Sequence, residues 1–267
     1  MKYFNVLSII FSLLLGSLLG TTVNAKENQQ KFEEDWGLAI TSMLIWTPKY
    51  TGSENYEVFG EVSIDGHFIL SEQSTLFVNS SGVVGLNYQL SNHLNTGILS
   101  SVRPDQDRSD IKHLDGLSNI DTAFEVGSYL SYQLTDRMEI SISGLFDVSD
   151  THNGWVANLN LSHEAKVPDT AISITTLAEI GYANKKFNNT YYGIKTTTSS
   201  IPTHSSSVLG SGFNSATLGT AFSYASSEKI VLIGSIYVTQ IIGNAKDSPI
   251  IKEDTFITVG LGVAYNF

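Results

Sequence analysis

The chain contains no cysteine, only five prolines in 267 residues, and charged side chains at just 15% of positions. Without cysteine there are no disulfides, zinc ribbons, thiol nucleophiles or lipid attachment through a leading cysteine. Cations are scarce as well: 15 Lys and Arg stand against 26 Asp and Glu, a formal net charge of −11. This argues against nucleic acid as a partner, because neutralising phosphates takes clustered Lys and Arg. Long apolar runs are also missing after the first 25 residues. The longest, such as 230–234, are about five residues, so no helix of that region can span a bilayer.

What is present begins with an export signal. Lys2 precedes an apolar stretch from Val6 to Leu19, and Val23-Asn24-Ala25 forms a small-residue site, so cleavage after Ala25 leaves residues 26–267 as one mature domain. The apolar stretch falls short of the roughly 20 residues that an anchoring helix needs.

Beyond it the hydrophobic pattern has period two. From Thr258 to Phe267 one parity reads Val259, Leu261, Val263, Tyr265, Phe267, and the other Thr258, Gly260, Gly262, Ala264, Asn266. The same split runs through 124–134, 138–147, 155–162, 172–180 and 215–224, which predicts strands with one oily face. The segments are about ten to fourteen residues long, enough to cross a bilayer at a tilt, and their second face is Gly, Ser, Thr, Asn and occasional carboxylates, as in a polar lumen. Aromatics gather near segment ends at Trp36, Trp46, Tyr50, Tyr132, Trp155, Tyr182, Tyr224 and Tyr265, where interfacial girdles sit. In hydrocarbon an open sheet edge leaves amides unpaired, so the expected fold is all-β: a transmembrane, antiparallel, up-and-down barrel.

Short turns at Thr135-Asp136 and Ser226-Ser227-Glu228 are assigned to the periplasm, and long polar stretches at 104–119, 183–212 and 243–254 to the outside. An odd number of strands must then precede residue 121. Asp65-Gly66 reads either as a hairpin turn or as a lumen-facing Asp beside a Gly. Five preceding strands give about twelve in all, the preferred count, and three give ten.

The carboxylates Glu57, Glu61, Asp65, Glu125, Glu139, Asp147 and Glu179 fall on polar parities and are candidate lumen residues, either lining a cation-attracting channel or plugging a narrow barrel with hydrogen bonds. His67 shares the parity of the first three. Asp105, Asp107 and Asp110 lack the glycine and distal glutamate of a calcium loop and read as a solvated acidic loop. The six histidines are scattered, the lone loop histidines read as solvated, and no Gly-x-Ser-x-Gly elbow exists, so neither catalysis nor a cofactor is expected. Tyr265 and Phe267, closing an alternating strand, have the form that an outer-membrane barrel-assembly machine reads, or are simply the end of the last strand.

Several motifs resemble one family. Gly243-Asn244-Ala245-Lys246-Asp247-Ser248-Pro249-Ile250-Ile251 with the final strand, Pro48-Lys49-Tyr50-Thr51-Gly52-Ser53, Leu114-Asp115-Gly116-Leu117 leading to Glu125-Val126-Gly127, and Tyr191-Tyr192-Gly193-Ile194 are similar to the MipA/OmpV family of MltA-interacting outer-membrane proteins. The likeness extends from about Trp36 to Phe267. Val102-Arg103-Pro104 is a reduced form of the family's arginine-rich stretch, and Tyr192-Gly193 replaces its usual Phe-Gly. The resemblance implies a scaffold in the Gram-negative outer membrane that links a lytic transglycosylase to a murein synthase. A narrow pore or uptake channel with an acidic lumen, or a surface adhesin using residues 196–210, are alternatives from other classes. Within the motifs, Pro48, Tyr50, Gly52, Ser53, Asp247, Ser248 and Pro249 are expected to shape the outer mouth, with Pro fixing φ and Gly52 admitting a turn. Murein enzymes work on the other side, so their contacts are expected from residues 26–35 and the short turns.

Overall fold

The computed structural model describes residues 35–79, 82–109, 111–194 and 207–267. In it the chain forms a closed barrel of twelve antiparallel strands, each paired with its neighbours in sequence and the last with the first. The strands are β1 (Trp36–Pro48), β2 (Tyr56–Ser71), β3 (Ser74–Val78), β4 (Val84–Gln89), β5 (Leu94–Arg103), β6 (Ala123–Thr135), β7 (Met138–Asp147), β8 (Trp155–Lys166), β9 (Ile172–Ala183), β10 (Gly212–Ala225), β11 (Ile230–Ile241) and β12 (Thr255–Asn266). Helix α1 (Lys185–Tyr191) follows β9, and the one-turn α2 (Gly243–Lys246) follows β11. The export signal, its Ala25 site and residues 26–34 lie outside the described residues.

Five strands precede residue 104, as the twelve-strand count requires, but Asp65-Gly66 is not a turn. Strand β2 runs through it, pairing Asp65 with Ala39 and Gly66 with Leu38, and the reversal comes at residues 72–73. Strands β3 and β4 have 5 and 6 residues, well below the length expected from the pattern. Because Val78 at the end of β3 pairs with Gly66, β2 from Tyr56 to Asp65 has a ladder partner only in β1 among the described residues. The wall is therefore low at this point.

The outward face is oily: Leu44, Val58, Val62, Ile98, Leu218 and Leu261 are all more than 60% exposed. Water does not tolerate such a continuous apolar belt, whereas a bilayer requires it. Aromatic pairs mark its two margins. Trp46 stacks on Tyr56 at 4.2 Å and Trp155 on Tyr182 at 5.6 Å on the side of the long loops, while Tyr265 meets Phe267 edge-on at 5.1 Å on the side of the short turns. Tyr50 departs from the expected girdle. It is buried, because its chain has turned inward over the barrel mouth.

All five short turns use one local device, in which a hydroxyl accepts the amide two residues on: Ser71–Gln73, Ser91–His93, Thr135–Arg137, Thr170–Ile172 and Ser227–Lys229.

The inward face carries the expected Ser, Thr and carboxylates, with large side chains set among them. Large inward side chains sit opposite inward glycines of the next strand: Tyr237 on Gly219, Phe77 on Gly85, Tyr129 on Gly97 and Met43 on Gly262. A Cβ at any of these glycines would run into the facing side chain, so glycine is what lets the neighbour fill the bore. Met43, Ile45, Leu177 and Tyr237 form a buried apolar plug, with Phe59 and Ile233 against it. In the sequence these residues are diluted among the Ser, Thr and Gly of the same parity.

Candidate functional site

Above the plug, the outer loops fold over the mouth as a cap. Its centre is a buried cluster of Tyr50, Leu114, Ile194 and Ile250, flanked by Ile111, Leu117 and Ile251. One or more residues come from each of the four stretches that carried the family resemblance, although they are separated by up to 200 residues. The Tyr50 hydroxyl donates to the Ile250 carbonyl at 3.2 Å, His113 Nε2 bonds the Pro249 carbonyl at 3.1 Å, and the Ser248 hydroxyl donates to the Tyr192 carbonyl. Gly52 takes a φ of +94°, and a Cβ there would lie 2.5 Å from Ile251 Cδ1. Its carbonyl accepts from Lys252 and Glu253 amides at 2.7 and 3.0 Å, tying the first outer loop to the last. Pro48 and Ser53 are buried, Pro249 is half-buried and Asp247 is exposed.

A charged cluster lies beneath one side of the cap. Arg103 grips Glu125 with two hydrogen bonds of 3.1 Å, and His152 Nε2 stands 3.0 Å from Glu125 Oε1. The Gly154 amide donates to His152 Nδ1, so the ring proton is on Nε2 and is given to Glu125. Phe187 and Tyr191 of α1 cover the group. The Arg103 guanidinium lies 4.8 Å from the Phe187 ring centre, and His152 meets that ring edge-on. Asn184 positions α1 as its N-cap, accepting from the Phe187 amide at 3.0 Å. The buried Arg108 binds the helix's last carbonyls, Thr190 and Tyr191, at 3.3 and 3.1 Å. Burial brings its pKa down to about 10 and pushes the Tyr192 phenol up to about 12. At the exposed edge Lys246 and Asp254 pair at 2.6 Å, and that hydrogen bond holds the Asp254 carboxyl below its usual range.

The carboxylates predicted for the lumen go to different fates. Glu57, Glu61, Asp65, Glu139 and Glu179 point inward from their strands, and Thr41 donates to Asp65 at 3.5 Å. Glu125 is taken up by Arg103 and His152. Asp147 serves the β7–β8 loop, accepting from the Ser149, His152 and Asn153 amides. His152 corrects the reading of loop histidines as solvated, for it is 3% exposed. Sequence reasoning missed its role, along with those of Arg103, Arg108 and Tyr191. The only available sign was that buried arginines in so cation-poor a chain must be answered by carboxylates. Asp110 and residues 196–206 of the candidate adhesive segment 196–210 lie outside the described residues, and Tyr265 and Phe267 are exposed on the rim.

A family model described as MltA-interacting protein MipA matches residues 41–267. An Escherichia coli (strain K12) chain assigned by name to the outer membrane, YiaT, is 27% identical over 131 residues, which cover 48% of this chain and 51% of that one. The chain spans about half the length of the curated relatives it matches. Among solved structures it is similar to the N-terminal β-barrel domain of Pseudomonas aeruginosa OprF (20% identity, 54% of this chain and 88% of that one, TM-score 0.27). It is also similar to the KdgM porin (10%, 86% and 99%, 0.42) and the CymD monoaromatic hydrocarbon channel (13%, 94% and 91%, 0.42). The matched family and the barrel architecture are those of outer-membrane barrel proteins.

Proposed function

The chain belongs to the MltA-interacting protein MipA family and lies in the outer membrane, and from that premise we propose that it is a closed membrane anchor. In this reading it holds a murein-cleaving lytic transglycosylase beside a murein synthase on the periplasmic face. The observation that carries it is a pair of buried apolar clusters, Met43–Ile45–Leu177–Tyr237 inside the barrel and Tyr50–Leu114–Ile194–Ile250 over its mouth, which support a bore narrowed at two levels. A pore needs a continuous polar path, whereas a scaffold needs only a rigid body with a free inner face. Among the described residues that face carries five short, exposed turns, each braced by a local hydroxyl-to-amide bond, whose exposed side chains support a partner surface there.

The test is photo-cross-linking in whole envelopes from a residue analogue placed at Asp136 or Glu228 in the inner turns, and at Asp247 in the cap. Adducts with the lytic transglycosylase are expected from the inner positions alone. Adducts from Asp247, or none from either end, overturn the scaffold reading.

A further inference from the structure

Between the plug and the cap lies a chamber of about 80 Å³. Its lower wall includes Glu179 and Asn158, its upper wall Tyr50 and Ile250, and its side Arg103, Phe187 and the tyrosines of 191–192. Glu179 is only 8% exposed, yet among the described residues its Oε2 has no hydrogen-bond partner. Asn160, directly opposite on β8, has its Oδ1 buried and equally unanswered, and so does the Tyr191 hydroxyl. The one cation in the chamber wall, Arg103, is occupied by Glu125. A buried, unpaired carboxylate is costly to maintain, so acceptors of this kind call for a donor from outside the chain.

We propose that this chamber binds a small organic ammonium ion, with Glu179 as its counter-ion. The Glu179 carboxylate oxygen in the chamber wall can only accept, so the occupant must bring N–H or O–H donors. The lone buried negative charge asks for a positive one, and the rings of Phe187, Tyr191 and Tyr192 favour a cation with a short carbon body over a hydrated metal ion. At 10 to 15 Å³ for each water-sized group, the space holds about five such groups, the size of a primary amine with a short chain. Glu179 is thereby distinguished from the other inward carboxylates: Glu125 and Asp147 are consumed by the protein's own donors, and Glu57, Glu61, Asp65 and Glu139 are not in the chamber wall. The inference is independent of the scaffold reading, since a sealed anchor holds its bore together with or without an occupant.

The test uses the mature barrel folded in detergent, with its thermal unfolding followed as ethylammonium chloride is added against sodium chloride of equal ionic strength. A saturable rise in Tm with ethylammonium is expected, and none with sodium or calcium chloride. Glu179→Gln should weaken the response at least tenfold, while Glu139→Gln should keep it. Saturation-transfer NMR between ethylammonium protons and the wild-type barrel gives a readout that needs no variant to fold. No saturable rise and no transfer, an equal rise with a metal chloride, or a response retained in Glu179→Gln each overturn the proposal.

Discussion

The two ends of the barrel solve the same problem in opposite ways. Each inner turn holds itself with a hydroxyl that accepts the amide two residues on, and its other bonds simply extend the ladder to the adjoining strand, as from the Asn266 amide to the Lys229 carbonyl. The outer loops add bonds from one loop to another: Tyr50 to Ile250, His113 to Pro249 and Arg108 to α1, with Glu125 held by Arg103 and His152 beneath them. The lesson is about where sequence change is tolerated. The inner end can vary freely and meet partners, while the outer end is a single interlocked piece whose members fail together.

The largest effect should follow from breaking the deepest lock. Arg103→Met leaves the Glu125 carboxylate buried beside a neutral neighbour and should cost about 3–5 kcal/mol in urea unfolding of the barrel in vesicles. The double variant Arg103→Met/Glu125→Leu should recover much of that loss, since no stranded charge remains. Next comes Gly52→Ala, which forces a side chain into a left-handed backbone position against Ile251 and should cost about 1–3 kcal/mol by the same measurement.

A smaller effect is expected from Tyr50→Phe, which removes one buried hydrogen bond and should cost about 1 kcal/mol. The same residue makes the cap sensitive to alkali. Burial, reinforced by the nearby Glu54, pushes the Tyr50 phenol from 10 up to about 12. A folded-state pKa raised above the unfolded one gives stability that is complete below pH 10 and lost as pH rises through about 12. Protease nicking of the outer loops should therefore increase across that window, and less steeply in Tyr50→Phe.

The smallest effect belongs to the other end. Ser227→Ala deletes one exposed turn hydroxyl and should change stability by about 0.5 kcal/mol or less. A loss comparable to that of Gly52→Ala would mean that the inner turns are as interlocked as the cap, which would erase the contrast.

The same contrast explains what could be read from sequence. Alternation through β6 to β12 exposes the barrel because each strand records its lipid face every second residue, independent of any distant contact. The inner turns at Thr135-Asp136 and Ser226-Ser227-Glu228 are legible because each lies between two such strands. The short pair β3 and β4 was hidden because Asp65-Gly66 imitates a turn, while the residues that do reverse the chain, Glu72 and Gln73, carry no glycine. The plug was hidden because an inward Tyr237 is intelligible only with Gly219 opposite it, and that pairing is a matter of register. The cap motifs were visible as words but not as a site, since Tyr50 and Ile250 meet only after the barrel closes. His152 looked like an ordinary loop histidine until Glu125 and Phe187 enclosed it.

The most direct test of the sealed-anchor account is single-channel recording of the mature barrel in planar bilayers. A barrel closed by both plug and cap should be electrically silent across physiological voltages, and should stay silent when the cap is loosened by Gly52→Ala, because the plug remains. A steady, cation-selective current through the wild-type protein would contradict the account.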